Sequence, residues 1–154
     1  MNLRDFIEPS SIRLDVAAKS KKALLRQMAH NAGKKLGRDA SEIDEAIMAR
    51  ERLGSTGFGA GIAIPHGKIE GLDRLFGLVV RLDDPVDYAA VDKMPVDLLF
   101  VLLSPPDAGA DHLRALAAIS RTLRDRSLVE RLRGARDRDA FAALLNAQDE
   151  RAVV

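Results

Sequence analysis

The sequence contains no cysteine and no tryptophan in 154 residues, and aromatic residues make up only 4% of it. Without cysteine the protein forms neither disulfide bonds nor thiolate metal sites. A net charge of +1 is too small to indicate nucleic-acid binding. No apolar run approaches the roughly 18 residues of a membrane span. Because the N-terminus also lacks the apolar segment of a signal peptide, we predict a soluble cytoplasmic protein.

Hydrophobic residues make up 47% of the chain and charged residues 31%, a balance typical of a folded globular protein. The length fits one domain built around one core. Residues 148–154 are predicted to form a flexible tail, as chain ends often do.

Apolar spacing predicts an alternation of strands and helices early in the chain and a cluster of helices late in it. Ser20, Asp39 and Asp111 are predicted to cap helices, and residues 83–85 to form a turn. The predicted strands are residues 12–16, a short strand ending on Pro65, 75–82 and 96–103, the last in the centre of the sheet. The pattern indicates an α/β fold: a single domain in which helices flank a mixed β-sheet.

The helix after Asp111 is predicted to bury one apolar face, formed by Leu113, Leu116, Ala117, Ser120 and Leu123. Two shorter apolar patterns predict a helix before Gly134 and a last helix that begins at Asp137 or Asp139.

The most informative segment is Gly57 to Lys68, which reads Gly-Phe-Gly-Ala-Gly-Ile-Ala-Ile-Pro-His-Gly-Lys. It places His66 between proline and glycine at the end of a short apolar strand. Neutral imidazole is a good nucleophile near neutral pH, and one ring nitrogen can attack phosphorus while the other keeps its proton. A lone Pro-His-Gly is more often a simple turn, but the full segment is much more specific.

Other residues of the segment are candidates for holding a phosphate. Gly67 is expected to let the chain turn away sharply. Backbone N–H groups around Gly61 and Gly67 are expected to face the phosphate oxygens, with Lys68 or Arg50 balancing the charge. Arg50 ranks above Lys68 because the planar fork of donors on a guanidinium fits phosphate better than a single ammonium does. The alternative is that Arg50 lies at the C-terminus of a helix only because its charge complements the helix dipole.

The other two histidines differ in how well their positions suit a role at the site. His112 lies in the first turn of a predicted helix, where the helix N-terminus keeps an imidazole neutral and can bind an anion. It is either a partner of His66 or a solvent-facing residue, and spacing alone does not decide. His30 is predicted to be a surface residue. Three separated histidines without spaced carboxylates make a poor metal site, and neither a Walker A motif nor a dinucleotide fingerprint is present, so no cofactor is predicted.

The chain resembles the enzyme IIA components of the bacterial phosphotransferase system, in the mannitol/fructose superfamily, and most closely the nitrogen-regulatory type. The matching motifs are Arg50-Glu51, Gly54-Ser55-Thr56-Gly57 and residues 61–68, with weaker support from Asp111-His112-Leu113. The resemblance extends over residues 3–147.

The resemblance implies a phosphoryl group carried on His66, at the ring nitrogen farther from the backbone, with His112 and Arg50 in support. It implies a histidine-containing phosphocarrier protein as donor. It also implies regulated partners such as potassium transport proteins, sensor kinases or metabolic enzymes. Ala60 and Phe58 depart from residues frequent in the family, which bears on the choice of partner.

Two alternatives remain open at this point. One is a purely binding regulator, favoured because no IIB or IIC segment is recognised in these 154 residues. The other is a fructose- or mannitol-specific component that passes phosphate to a separate IIB chain, against which Gly54-Ser55-Thr56-Gly57 argues mildly.

Overall fold

A mixed six-stranded β-sheet lies between two layers of helices in this computed structural model, which describes residues 1–153 and the side chains of residues 1–150. Two short 3-10 turns, Leu3–Asp5 and Pro9–Ser11, precede the first strand. The strands are β1 Ile12–Val16, β2 Gly57–Gly59, β3 Ile62–Ala63, β4 His66–Lys68, β5 Phe76–Val86 and β6 Val96–Ser104. The helices are α1 Lys21–Leu36, α2 Ala40–Arg52, α3 Ala110–Leu123, α4 Arg126–Gly134 and α5 Arg138–Val153. The predicted α/β fold with a mixed sheet is confirmed.

The sheet order is β1-β5-β6-β3-β2, and β4 also pairs with β6. β6 is antiparallel to β5 and parallel to both β3 and β4, so it is the central strand, as predicted. Its side chains alternate between the two faces of the sheet. Leu98, Phe100 and Leu102 pack with α3, α4 and α5, whereas Leu99, Val101 and Leu103 pack with α1 and α2.

Three predicted helix caps are present in the structure. The Ser20 side chain accepts a hydrogen bond from the Ala23 N–H, and Gly37 ends α1 in the left-handed conformation. Asp39 accepts from the Ser41 N–H at the start of α2. Asp137, one of the two candidates for the last helix, accepts from the Ala140 N–H at the start of α5.

The cap predicted at Asp111 is wrong. α3 begins at Ala110, with Gly109 as its cap two residues before the predicted one, and Asp111 forms an exposed ion pair with Arg114 instead. The buried face of α3 also differs from the prediction, because Leu113 is 67% exposed while His112, Ala115 and Ile119 are buried. His112 therefore lies on the buried face of α3, where the apolar pattern predicted Leu113.

The turn predicted at residues 83–85 is also wrong. β5 continues through these residues to Val86, which pairs with Val96 across a shift in register. The shift lets Pro85 lie in the strand, because a proline is tolerated where the ladder is irregular.

The C-terminal tail differs from the prediction as well. α5 continues to Val153, and Asp149 is buried. One Asp149 carboxylate oxygen accepts from the Leu3 N–H at 2.9 Å and the other from the Arg4 N–H at 3.2 Å. The carboxylate thereby satisfies the free donors of the first 3-10 turn and anchors this end of the helix. Val154 lies outside the described residues.

Within residues 1–153, no helix is long and apolar enough to cross a membrane.

Candidate functional site

His66 is the first residue of β4, at the carboxyl end of β6. Its Cα pairs with that of Leu102 on β6, and the Leu102 N–H donates to the carbonyl of the preceding Pro65 at 2.9 Å. The strand ladder therefore fixes the backbone on both sides of the ring. The ring is half-buried and faces an open cavity, so it is accessible from solvent.

Hydrogen bonds assign the tautomer of His66. Its Nδ1 lies 2.7 Å from the carbonyl oxygen of Ile64, and only a protonated Nδ1 can donate to that acceptor. The lone pair is therefore on Nε2, which accepts a hydrogen bond of 3.2 Å from Nε of Arg50. The nitrogen farther from the backbone is the nucleophilic one.

Arg50 lies in the last turn of α2 and bridges two elements. While its Nε donates to His66, its Nη1 donates to the carbonyl of Gly54 at 2.8 Å. The planar guanidinium is thus held beside the ring, with further N–H groups available to an anion. The structure brings together two residues that are 16 positions apart in the sequence.

His112 is the second imidazole of the site. It is only 9% exposed, and its Nδ1 lies 2.6 Å from the hydroxyl oxygen of Ser104, the last residue of β6. The ring centroids of His112 and His66 are 5.7 Å apart, and the planes are tilted by 53°. Of the two readings that the sequence left open for His112, the partner of His66 is the one the geometry favours.

Both imidazoles are kept neutral. Burial lowers the pKa of His66, and the Arg50 charge lowers it further, partly opposed by the hydrogen bond to Ile64. Burial also lowers the pKa of His112, with smaller contributions from His66 and Lys68. At neutral pH the uncharged, nucleophilic form of His66 therefore predominates.

The cavity beside His66 has a volume of about 520 Å³. Its lining is Ala46, Ala49, Arg50, Leu53, His66, Gly67, Lys68 and His112. Five of the six residues predicted for the site therefore meet in one place.

Gly61 is the exception, because it does not line this cavity. It lies in the turn between β2 and β3, where a Cβ atom would come within 2.6 Å of Nη2 of Arg133 and 3.4 Å of Oδ1 of Asp97. Nε and Nη2 of Arg133 both donate hydrogen bonds to the carboxylate of Asp97. The glycine at this position allows that pair to approach the backbone, and the predicted phosphate contact at Gly61 is corrected accordingly.

Gly67 lines the cavity, but for a different reason from the predicted one. It lies within β4, paired with Leu103, rather than in a sharp turn. A Cβ atom there would lie 3.3 Å from Cβ of Ala46 on α2. The missing side chain thus lets α2 pack closely against β4, which brings Arg50 to His66.

Sequence reasoning missed the buried polar network beneath Arg50. Glu51 contacts Lys21, Thr56 and Tyr88, none of which was predicted as a site residue. A signal was available, because Glu51 continues the buried positions Ile43 and Ile47 at a spacing of four residues. A glutamate on the apolar face of a helix predicts a buried hydrogen-bond or charge partner, because an unpaired buried carboxylate is unfavourable.

Comparison with known proteins identifies the family of the chain. Residues 5–148 match the family described as "Phosphoenolpyruvate-dependent sugar phosphotransferase system, EIIA 2". The chain belongs to this EIIA family. The resemblance found in the sequence is thereby confirmed.

Curated relatives of the EIIA chain point to the nitrogen-regulatory type. It is 43% identical over 145 residues to a nitrogen regulatory protein of Bradyrhizobium diazoefficiens, covering 94% of this chain and 95% of the relative. It is 32% identical over 153 residues to a fructose-specific EIIABC component of Bacillus subtilis, covering 97% of this chain but 24% of that relative.

Solved structures agree. The nitrogen regulatory protein IIA-Ntr of Neisseria meningitidis superposes with a TM-score of 0.87 at 33% identity, covering 92% of this chain and 97% of that one. Mannitol IIA of Escherichia coli superposes with a TM-score of 0.74 at 21% identity, covering 90% and 97%, and shares the fold. This EIIA chain is therefore a nitrogen-regulatory-type component of the phosphotransferase system.

Proposed function

We propose that the protein accepts a phosphoryl group on Nε2 of His66 from a histidine-containing phosphocarrier protein, and that its phosphorylation state regulates partner proteins. The observation that carries the proposal is the fixed tautomer of His66. Its Nδ1 proton is bound to the Ile64 carbonyl, which leaves the Nε2 lone pair beside a cavity that also contains Arg50 and His112.

In the proposed step the Nε2 lone pair attacks phosphorus as the bond from phosphorus to the donor's histidine nitrogen breaks. The donor's ring nitrogen takes that electron pair, and Nδ1–H of His66 keeps its bond to Ile64. For this to happen, Arg50 Nε releases Nε2 as the donor approaches and donates to a phosphoryl oxygen instead, which frees the lone pair for attack. Positioning and charge stabilisation supply most of the catalysis in such reactions.

His112 and Lys68 have supporting roles in this proposal. If the Ser104 hydroxyl donates to Nδ1 of His112, the proton of that ring is on Nε2, from which it can donate to the phosphoryl group. Lys68 is exposed at the edge of the cavity and balances part of the phosphate charge.

The surroundings of the cavity favour a protein as the donor. Leu53, which lines the cavity, is 86% exposed, and Leu113, next to His112, is 67% exposed. An exposed leucine in the cavity lining and another next to His112 in the sequence are suited to burial against a partner surface. A small-molecule donor would leave these leucines in water.

Regulation is favoured over sugar transport by the relatives. The nitrogen regulatory relative matches the chain more closely than the fructose-specific one, at 43% against 32% identity. The phosphoryl oxygens would place about two negative charges at the surface beside His66, offset by about one positive charge on the protonated ring, and this change is enough to alter a partner's affinity. Potassium transport proteins and sensor kinases are the partners to test for binding to the phosphorylated and the unphosphorylated protein.

Labelling tests the proposal. Incubation with phosphoenolpyruvate, enzyme I and the phosphocarrier protein should give one acid-labile phosphoryl group per chain, and His66→Gln should abolish it. His30→Gln, a change of the same kind at an exposed residue, should keep full labelling. Stable labelling of the His66→Gln protein would refute the assignment. Transfer of the label to a IIB protein would favour the sugar-specific alternative.

A further inference from the structure

The position of Arg50 depends on a short exposed segment. Its Nη1 donates to the carbonyl of Gly54, and Gly54 lies in the residues that connect α2 to β2. Residues 52–54 are exposed, so packing in the core does not hold them. Something else must fix the Gly54 carbonyl if the guanidinium is to remain beside His66.

Glu51 binds this segment through both its side chain and its backbone carbonyl. Its side chain accepts hydrogen bonds from the Thr56 N–H, at 3.3 Å to one oxygen and 3.2 Å to the other, and also contacts the Thr56 hydroxyl. The Glu51 carbonyl accepts from the Gly54 N–H at 3.1 Å. One residue thus ties both Gly54 and Thr56 to the last turn of α2.

The carboxylate is held in turn by two other elements. Lys21, at the start of α1, approaches within 2.8 Å, and the hydroxyl of Tyr88, which is fully buried, donates at 3.0 Å. The Lys21 ammonium also lies 4.3 Å from the centre of the Tyr88 ring. Glu51 itself is only 8% exposed.

An ionised carboxylate suits this place because it accepts hydrogen bonds only. Burial acts to raise the pKa of Glu51, but the hydrogen bonds from Lys21 and Thr56 outweigh it and lower the pKa. The Lys21 ammonium and the Thr56 N–H can only donate to this carboxylate, and the Thr56 and Tyr88 hydroxyls, 3.0 Å apart, complete a buried hydrogen-bond network around it.

We propose that Glu51 is a positioning residue, which fixes the Gly54 carbonyl through Thr56 and thereby holds Arg50 in place to stabilise the phosphoryl group on His66. This inference rests on the proposed function and assigns to Glu51 a part of the same site. Because the energy of phosphoryl transfer depends on orientation, loss of the carboxylate should slow the chemical step more than it weakens donor binding.

The variant Glu51→Gln removes the charge at nearly constant shape, and Glu45→Gln is its control, an exposed glutamate on the same helix. We expect the kcat for phosphorylation of Glu51→Gln by the phosphocarrier protein to fall by about 10- to 100-fold, with the KM for the donor changed by less than about twofold. Glu45→Gln should match the wild type in both.

A second readout does not require phosphoryl transfer. In the unphosphorylated protein, the Arg50 Nε–H resonance should be slow to exchange with solvent and should lose that protection in Glu51→Gln. If wild type is not phosphorylated at all, the proposed function fails, whereas the Arg50 resonance still tests the role of Glu51.

Tyr88→Phe, which removes one donor and keeps the ring, should show a smaller effect in the same direction. It replaces Glu51→Gln as the test if that variant does not fold. A Glu51→Gln protein that is less stable but has wild-type kcat and a protected Arg50 would overturn the inference.

Discussion

The two imidazoles of the site share one property at the scale of single residues: burial lowers the pKa of each below its ordinary value of 6.5. A histidine whose pKa is lowered by folding resists protonation in the folded state but accepts a proton freely when unfolded. Its contribution to stability is therefore complete above pH 6.5 and is lost progressively as the pH falls below that value.

The lowered pKa values of the two histidines predict how stability depends on pH. The free energy of unfolding of the wild type should decrease as the pH is lowered through and below 6.5, and the double variant His66→Gln/His112→Gln should show a shallower decrease. Urea unfolding at a series of pH values measures both slopes. His30→Gln, the same substitution at an exposed histidine outside the site, is the control for the substitution itself. The lowered pKa of Glu51 acts in a separate window, below 4.5. Equal slopes for wild type and double variant would contradict the pKa assignments.

Residues of the site differ in how far the sequence could reveal them. His66 stands in a continuous motif, so the sequence alone was enough to propose it as the phosphoryl acceptor. For Arg50 and His112 the residues alone left a functional and a purely structural interpretation open, because their approach to His66 depends on how α2 and α3 pack. Gly61 was misassigned because a glycine that accommodates an arginine–aspartate pair reads the same as one that binds an anion.

The contact between α2 and β4 decides the site at the scale of elements. Gly67 lies against Ala46, where an added Cβ would lie 3.3 Å from the Ala46 Cβ and 3.4 Å from its carbonyl carbon. Only one of these neighbours is a side chain, so the close approach cannot be relieved by a change of rotamer. The distance between the two elements also sets the distance from Arg50 to His66.

Gly67→Ala should therefore destabilise the protein by about 1–2 kcal/mol, the usual cost of adding atoms to a packed contact. It should also lengthen the Arg50–His66 contact and slow phosphorylation. Chemical denaturation and labelling kinetics check the two effects. Gly134→Ala is the control, since a Cβ there meets no described atom within 4 Å, and it should be as stable as wild type or slightly more stable. Equal stability of the two variants would show that the α2–β4 contact is not tight.

Elements with regular apolar spacing were the easiest to predict. β1 was predicted correctly from its alternating apolar residues, and the start of α1 from the capping residue Ser20. The face of α3 was misjudged because His112 is buried by its contact with Ser104, a reason that a hydrophobic pattern cannot show. The end of α5 was misjudged because its anchor, Asp149, bonds to backbone groups about 145 residues away in the sequence.

At the scale of the whole molecule, the sheet separates two helical layers and the site lies where both reach it. Arg50 and Leu53 come from the α2 side, and His112 and Leu113 from the α3 side. His66, in the sheet between them, belongs to neither layer. Leu53 and His66 line the same open cavity, but they belong to different elements.

Exposed leucines should therefore affect docking but not chemistry. In Leu53→Ser, kcat/KM with the phosphocarrier protein should fall about tenfold, the effect of losing roughly 1.4 kcal/mol of apolar burial. Labelling by phosphoramidate, a small donor whose P–N bond breaks to release ammonia, should stay at the wild-type rate. Val91→Ser, an equally exposed residue outside the cavity, should change neither. If both rates fell together, Leu53 would act on the ring rather than on the partner.

Identification of the nitrogen atom that carries the phosphoryl group tests the central claim most directly. Nitrogen-15 NMR of the protein phosphorylated by the phosphocarrier protein distinguishes the two ring nitrogens of His66. The predicted result is phosphorus bonded to Nε2, with Nδ1 still protonated and bound to the Ile64 carbonyl. Phosphorus on Nδ1, or on any residue other than His66, would contradict the account.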